Sequence, residues 1–158
     1  MAKAAKKQQG HVKEQVESRR MHERIRQYWE SLKEGRRFPN ESEINPAAIS
    51  DVWDYCFLVN MSKGKVSRGF SYEYMGPALA EAYGVNLTGV EQCDTKDVPH
   101  VALMLRQFDE VLESGEPALH DAEFENAKRM HIKYRCCLLP MGGGKVQYIL
   151  GCMRWVYC

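Results

Sequence analysis

The side chains with most chemistry to offer in this chain are six cysteines and five histidines. Cys56, Cys93, Cys136, Cys137, Cys152 and Cys158 form no C-x-x-C pair and show no zinc-like spacing to a histidine. Cys56, Cys136, Cys137 and Cys152 lie in apolar runs of strand length, where a thiol packs as a small apolar group. They read as reduced, buried thiols, because disulfides are rare in the cytosol. Gly142-Gly143-Gly144-Lys145 suggests a phosphate cradle, but a P-loop needs G-x-x-x-x-G-K-[ST] between a strand and a helix. Here a strand follows at Val146, so the run reads as a hairpin turn. None of the serines sits in a nucleophile elbow, and Glu81, Glu91 and Asp94 have nothing to orient them as acid and base. The sequence therefore assigns no catalytic residue and no metal ligand. His131, Lys133 and Arg135 make a basic stripe, with Lys128 and Arg129 in the turn before it. It reads as a solvated strand face, or as docking for an acidic partner or an anionic nucleotide. If a helix packs on that face, Glu14, Glu17 or Glu23 can pair with its rim.

These groups must be positioned by a chain of 158 residues with 44% hydrophobic content and net charge +1. That suits one domain plus an extension. It gives no global attraction to nucleic acid or an acidic membrane. Residues 1–10, with Lys3, Lys6, Lys7, Gln8 and Gln9, read as a disordered basic tail, too polar for a signal peptide. No stretch approaches the ~20 apolar residues of a membrane span. A cytoplasmic location is expected.

Residues 11–37 hold a long amphipathic helix, His11 to Glu34, ended by Gly35. Val12, Val16 and Met21 begin its apolar stripe weakly, and Ile25, Tyr28, Trp29 and Leu32 continue it at spacings of three and four. That stripe packs on the domain or on a second copy of the chain, and Ile25, Tyr28, Trp29 and Leu32 are the candidate dimer interface. Residues 38–158 form the domain. Pro46 opens a short helix, Tyr55 to Met61 is a strand, and Ser62 to Lys65 turn the chain. A strand over Val66 to Met75 places Phe70, Tyr72 and Tyr74 on one face. Short helical pieces follow over Ala78 to Tyr83 and around Asn86 to Gly89. Asp97 starts a longer helix, and three strands close the chain at 117–125, 130–139 and 146–156. The last is almost wholly apolar and hence central. Hairpin connections make the sheet antiparallel and the class α+β.

This order, and two motifs, resemble a PAS domain of the bacterial, often stand-alone family called PAS_5. The first motif is Tyr28-Trp29, Leu32, Gly35-Arg36, Pro39, Glu43-Ile44 and Pro46. The second is Gly76, Leu79, Tyr83-Gly84 and Asn86-Leu87-Thr88-Gly89. Three positions depart from the pattern: Glu41 stands for an arginine, Glu43 for an aspartate, and Tyr72, Glu73 or Tyr74 for a further arginine. The resemblance implies a five-stranded antiparallel sheet, with short helices and one longer helix on one face and the N-terminal helix as an extension. It implies a non-catalytic sensory or interaction role. A PAS cup would be lined by Tyr72, Tyr74, Met104, Phe108, Ala122, Phe124, Tyr134 and Cys136, or those side chains simply fill it as core. In haem-binding PAS relatives the iron ligand is a histidine on the longer helix, which makes His100 the haem candidate, although its first-turn position suggests exposure. Cys93 lies where flavin photosensor relatives carry a reactive cysteine in N-C-R-F-L-Q, but here the text is Gln92-Cys93-Asp94-Thr95-Lys96-Asp97. No cofactor is predicted. The expectation is a homodimeric sensor that binds a small ligand or a signalling partner and relays through its N-terminal helix. The alternatives are a ligand-free dimerising module and a haem-based redox or gas sensor.

Overall fold

The computed structural model describes residues 2–61, 69–93 and 99–158. The expected turn Ser62 to Lys65, Val66, Asp94 and Asp97 lie outside the described residues, as do the side chains of Val12, Glu14 and Cys93. The chain forms α1 (Ala2–Lys33), β1 (Cys56–Asn60), β2 (Gly69–Met75), α2 (Pro77–Tyr83), β3 (Glu91–Cys93), α3 (Pro99–Ser114), β4 (Ala118–Glu125), β5 (His131–Met141) and β6 (Tyr148–Tyr157). Three short 3-10 turns, at Glu41–Glu43, Pro46–Ile49 and Trp53–Tyr55, link α1 to β1. The segment expected as a disordered tail is helical from Ala2 onward. Its alanines, lysines and glutamines are strong helix formers that extend a helix already nucleated downstream. At the other end Glu34 (φ 48°) and Gly35 (φ 81°) turn left-handed and stop it.

One antiparallel sheet runs in the order β3-β2-β1-β6-β5-β4. Among the described residues it has six strands where five were expected. The extra one, β3, pairs only Glu91, Gln92 and Cys93 with β2, too short a run to show an alternating pattern. The apolar β6 is central, between β1 and β5.

The sheet is buried on both faces. One cluster holds Phe57, Val59, Tyr72, Tyr134, Cys136 and Leu138 against α2 and α3. The other holds Cys56, Cys137, Leu139, Leu150 and Cys152 against Met21, Ile25 and Trp29 of α1. Strand alternation sends neighbouring residues to opposite sides, so the same strands wall both cores. Cys56 stands opposite Cys152, and Cys152 opposite Cys137, which sets three buried thiols in a row across β1, β6 and β5 beneath α1.

α1 is thus part of the domain and no detached extension. Ile25 (0% exposed) and Trp29 (1% exposed) are consumed by the chain's own sheet, so they are not open to a second copy as the dimer reading required. Burying two such side chains contributes about 2–3 kcal/mol each. Trp29 Nε1 donates to the Pro140 carbonyl at 2.8 Å, and Tyr28 Oη accepts from the Asn45 amide at 2.8 Å. Leu32 and Tyr28 are partly buried against the same cluster. The Arg36–Glu43 ion pair, at 2.7 Å, ties the end of α1 to the next turn. Glu43 also accepts from the Asn40 amide, closing a capping box there. The Glu43 departure from the motif therefore keeps an anchoring role.

β2 carries a bulge. Leu58 faces Tyr74 but Val59 faces Tyr72, which makes Glu73 the extra residue. A bulge shifts every later side chain to the other face. Tyr74 consequently leaves the cup side, stacks on Trp53 with centroids 4.2 Å apart, and donates to the Trp53 carbonyl at 3.1 Å. It packs with α1's cluster, which removes it from the expected cup lining.

Candidate functional site

The cup lies between the sheet and α2 and α3. Gly76 admits the close approach that starts α2, because a Cβ there would meet the Asp54 carbonyl oxygen at 2.2 Å. Gly84 (φ 76°) caps its end. The Asn126 side-chain amide then donates to the Ala82 carbonyl at 2.8 Å, and the Ala127 amide donates to the Tyr83 carbonyl at 3.0 Å. The β4–β5 turn thereby fixes the end of α2 and aims Tyr83 inward. α3 contributes His100, Met104, Gln107 and Phe108, the last three buried.

Seven of the eight expected cup residues do share this side: Tyr72, Met104, Phe108, Ala122, Phe124, Tyr134 and Cys136. They are packed mainly as an aromatic cluster. Phe108 stands edge-on to Phe70 at 5.0 Å, and Phe70 edge-on to Tyr72 at 5.4 Å. The Tyr72 hydroxyl approaches Met104 Sδ at 3.9 Å.

The polar atoms gather at one end. His100 lies face to face on Phe124, with centroids 4.2 Å and planes 14° apart. Tyr134 meets it edge-on at 5.8 Å, and Tyr83 sits 4.9 Å from Phe124. Both His100 ring nitrogens, Tyr83 Oη and Tyr134 Oη are buried without a hydrogen bond of standard geometry among the described residues. Tyr72 nears Tyr83, and Gln107 nears Tyr134, without closing such a bond. Burial lowers the His100 pKa to about 4 and raises the Tyr72, Tyr83 and Tyr134 phenols. At neutral pH the cluster is uncharged, so it can exchange hydrogen bonds with a bound molecule.

His100, expected at the surface, has both ring nitrogens buried, and Tyr83 joins the lining in addition to the expected residues. Pro99 does open α3, but the first turn leans over β4 and Phe124 covers the imidazole. Tyr83 could have been found from its place as the last residue of α2 before the left-handed Gly84. Cys93 ends β3, and its side chain is outside the described residues. Among the described residues no cluster of three or more histidines, cysteines or acids could hold a metal. None of their helices is long and apolar enough to cross a membrane.

The expected basic stripe is largely neutralised within the sheet. Arg135 makes a two-pronged ion pair with Asp121 of β4 at 2.8 and 3.1 Å, and His131 meets Glu123 at 2.9 Å. Of the expected helix partners Glu17 is engaged, but with Arg154 of β6 at 2.7 Å.

The PAS_5 family of PAS domains matches residues 17–154, and the chain belongs to that family. A variant of RsLOV is similar in structure, with 18% identity and TM-score 0.50, covering 70% of this chain and 66% of that one. The Rhodobacter sphaeroides LOV protein aligns at 14% identity and TM-score 0.49, over 72% of this chain and 69% of that one. An RNA-binding Light-Oxygen-Voltage receptor aligns at 11% identity and TM-score 0.50, over 73% of this chain and 35% of that one. At these identities the likeness is one of fold. No curated protein matches the chain.

Proposed function

We propose that this PAS domain is a non-catalytic sensor that takes a small apolar or amphipathic ligand into the cup and transmits its presence to α1. The supporting observation is the group of unpartnered polar atoms on His100, Tyr83 and Tyr134 at the end of an aromatic core. A buried polar group without a partner costs about 1–3 kcal/mol, which a ligand carrying donors or acceptors recovers. Because Phe57, Val59 and Leu138 on the cup side alternate with Cys56, Leu58 and Leu139 on the α1 side, a shift in the cup moves the wall on which α1 rests. The ligand acts through its differential affinity for two arrangements of that wall.

Native mass spectrometry of freshly purified protein, set against its denatured mass, tests this reading. A retained small molecule that Ala122→Trp excludes from a still-folded protein supports it. Ala122 is only partly buried at the edge of the cluster, so the larger ring fills the cup before it disrupts the sheet. Ligand-free protein, unchanged by the full set of small molecules in a cell extract, sinks it. The second reading is an interaction module that pairs with a signalling protein or with itself. With Ile25 and Trp29 taken up by the sheet, a homodimer through α1 would draw on the half-buried Tyr28 and Leu32 and the exposed face of the helix, and sedimentation reports it directly. The haem alternative keeps His100 as its one candidate ligand, and it requires a Soret band.

A further inference from the structure

A cavity lies on the opposite side of the sheet from the cup, between α1 and the start of β4. Its volume is about 440 Å³, within the range of small-molecule sites. Arg19, His22 and Arg26 reach it from one stripe of α1, and Arg135 reaches it from β5. Pro117 and Leu119 supply an apolar wall, and Leu119 is 54% exposed. We propose that this cavity binds a small organic anion, a phosphate ester or carboxylate with a compact apolar substituent.

Charge and hydrogen bonding both favour that class. Arg135 is already offset by Asp121. Glu23 also lines the cavity without pairing to an arginine among the described residues, so Arg19 and Arg26 set against this one carboxylate leave one positive charge in excess. Arg19 and Arg26 are exposed and make no ion pair or hydrogen bond with any described residue. Planar guanidiniums bind carboxylate and phosphate oxygens in two-pronged fashion. His22 is only 5% exposed at this cavity, and neither ring nitrogen has a hydrogen bond of standard geometry, although the Cys152 and Arg135 carbonyls approach it. A bound anion's oxygen or bridging water would satisfy a nitrogen that the fold leaves unsatisfied. The apolar wall at Leu119 removes the need for a purely ionic ligand.

The cavity is shared between α1 and the strands, so it exists only while the helix is docked. Any anion held there stabilises the docked form by mass action. This site is independent of the cup, and its failure would leave the sensor reading untouched.

The test is titration of the full chain with phenyl phosphate and with phenylacetate, followed by 1H–15N chemical shifts. Benzyl alcohol serves as the uncharged control. The expected result is saturable shifts confined to residues around 19–26, 117–119 and 135–137, with at least one anion bound about tenfold more tightly than benzyl alcohol. Arg19→Gln combined with Arg26→Gln should weaken that anion about tenfold or more, equivalent to about 1.4 kcal/mol, without loss of folding. Both side chains are exposed and make no ion pair or hydrogen bond among the described residues, so the double variant tests binding rather than folding. No saturable shift with either anion overturns the proposal. So does equal affinity for benzyl alcohol, shifts confined to the cup, or unchanged affinity in the double variant.

Discussion

The imidazole of His100 lies flat on the ring of Phe124, 4.2 Å between centroids, with both of its nitrogens unpartnered. His22, on the far side of the sheet under α1, likewise makes no hydrogen bond of standard geometry, although the Cys152 and Arg135 carbonyls lie near it. Two neutral, buried imidazoles therefore flank one sheet. Burial lowers both pKa values from 6.5 to about 4, and for His22 the nearby Arg135 adds to the effect.

Acid should loosen this fold. The folded state favours neutral imidazole, so between pH 6.5 and about 4 the unfolded chain binds more protons. Stability is full above 6.5 and falls as pH drops through that window, by on the order of 2–3 kcal/mol per histidine at its lower end. Urea midpoints measured from pH 7.5 to 4 should decline, and His100→Phe should flatten the decline. An equal slope in that variant would show that His100 does not titrate with unfolding.

Trp29 should hold α1 in place through both its ring and its bond to Pro140. Trp29→Phe removes that buried hydrogen bond and is expected to cost about 1–3 kcal/mol. Amide exchange should then accelerate across residues 17–33 while β5 and β6 remain protected. A uniform loss of protection would mean that α1 and the sheet open as one unit.

Gly151 should be intolerant of any side chain. A Cβ there would meet the Phe57 ring at 2.0 Å, since that ring lies across β6 on the cup side. Gly151→Ala is expected to destabilise by about 1–3 kcal/mol through overpacking. Adding Phe57→Leu should relieve part of the cost, giving a coupling of about 0.5 kcal/mol or more. Strictly additive effects would show that the two residues do not compete for the same space.

Much of this architecture was legible in the residues. The alternation of Ile132, Tyr134, Cys136 and Leu138 against Lys133 and Arg135 gives β5 its faces, and the apolar β6 declares its central place. The Tyr28 to Pro46 motif marks the passage out of α1. Tyr74 shows where local reading stops. Its alternation with Tyr72 is regular in sequence, and only pairing with β1 reveals the bulge at Glu73. The α1 stripe shows the same limit from another side. Ile25 and Trp29 announce a covered surface, but an amphipathic pattern does not say whose surface covers it. The polar cluster of the cup needed three-dimensional convergence of α2, α3, β4 and β5, and no spacing in the chain encodes that.

The row of Cys56, Cys152 and Cys137 turns α1 into a lid over a chemical clock. Contact with Cys152 and then burial raise the Cys56 pKa, and burial lifts Cys137 to about 12, so neither offers thiolate while covered. Cys158 is exposed and reacts at once as an internal standard. A disulfide reagent mixed with native protein should therefore react promptly at Cys158 and slowly at Cys56, Cys137 and Cys152, and the rate at those three, read site by site, counts detachments of the helix. Whatever binds the protein and steadies α1 will lengthen the slow phase, so the thiols report the signal's arrival whatever its chemistry.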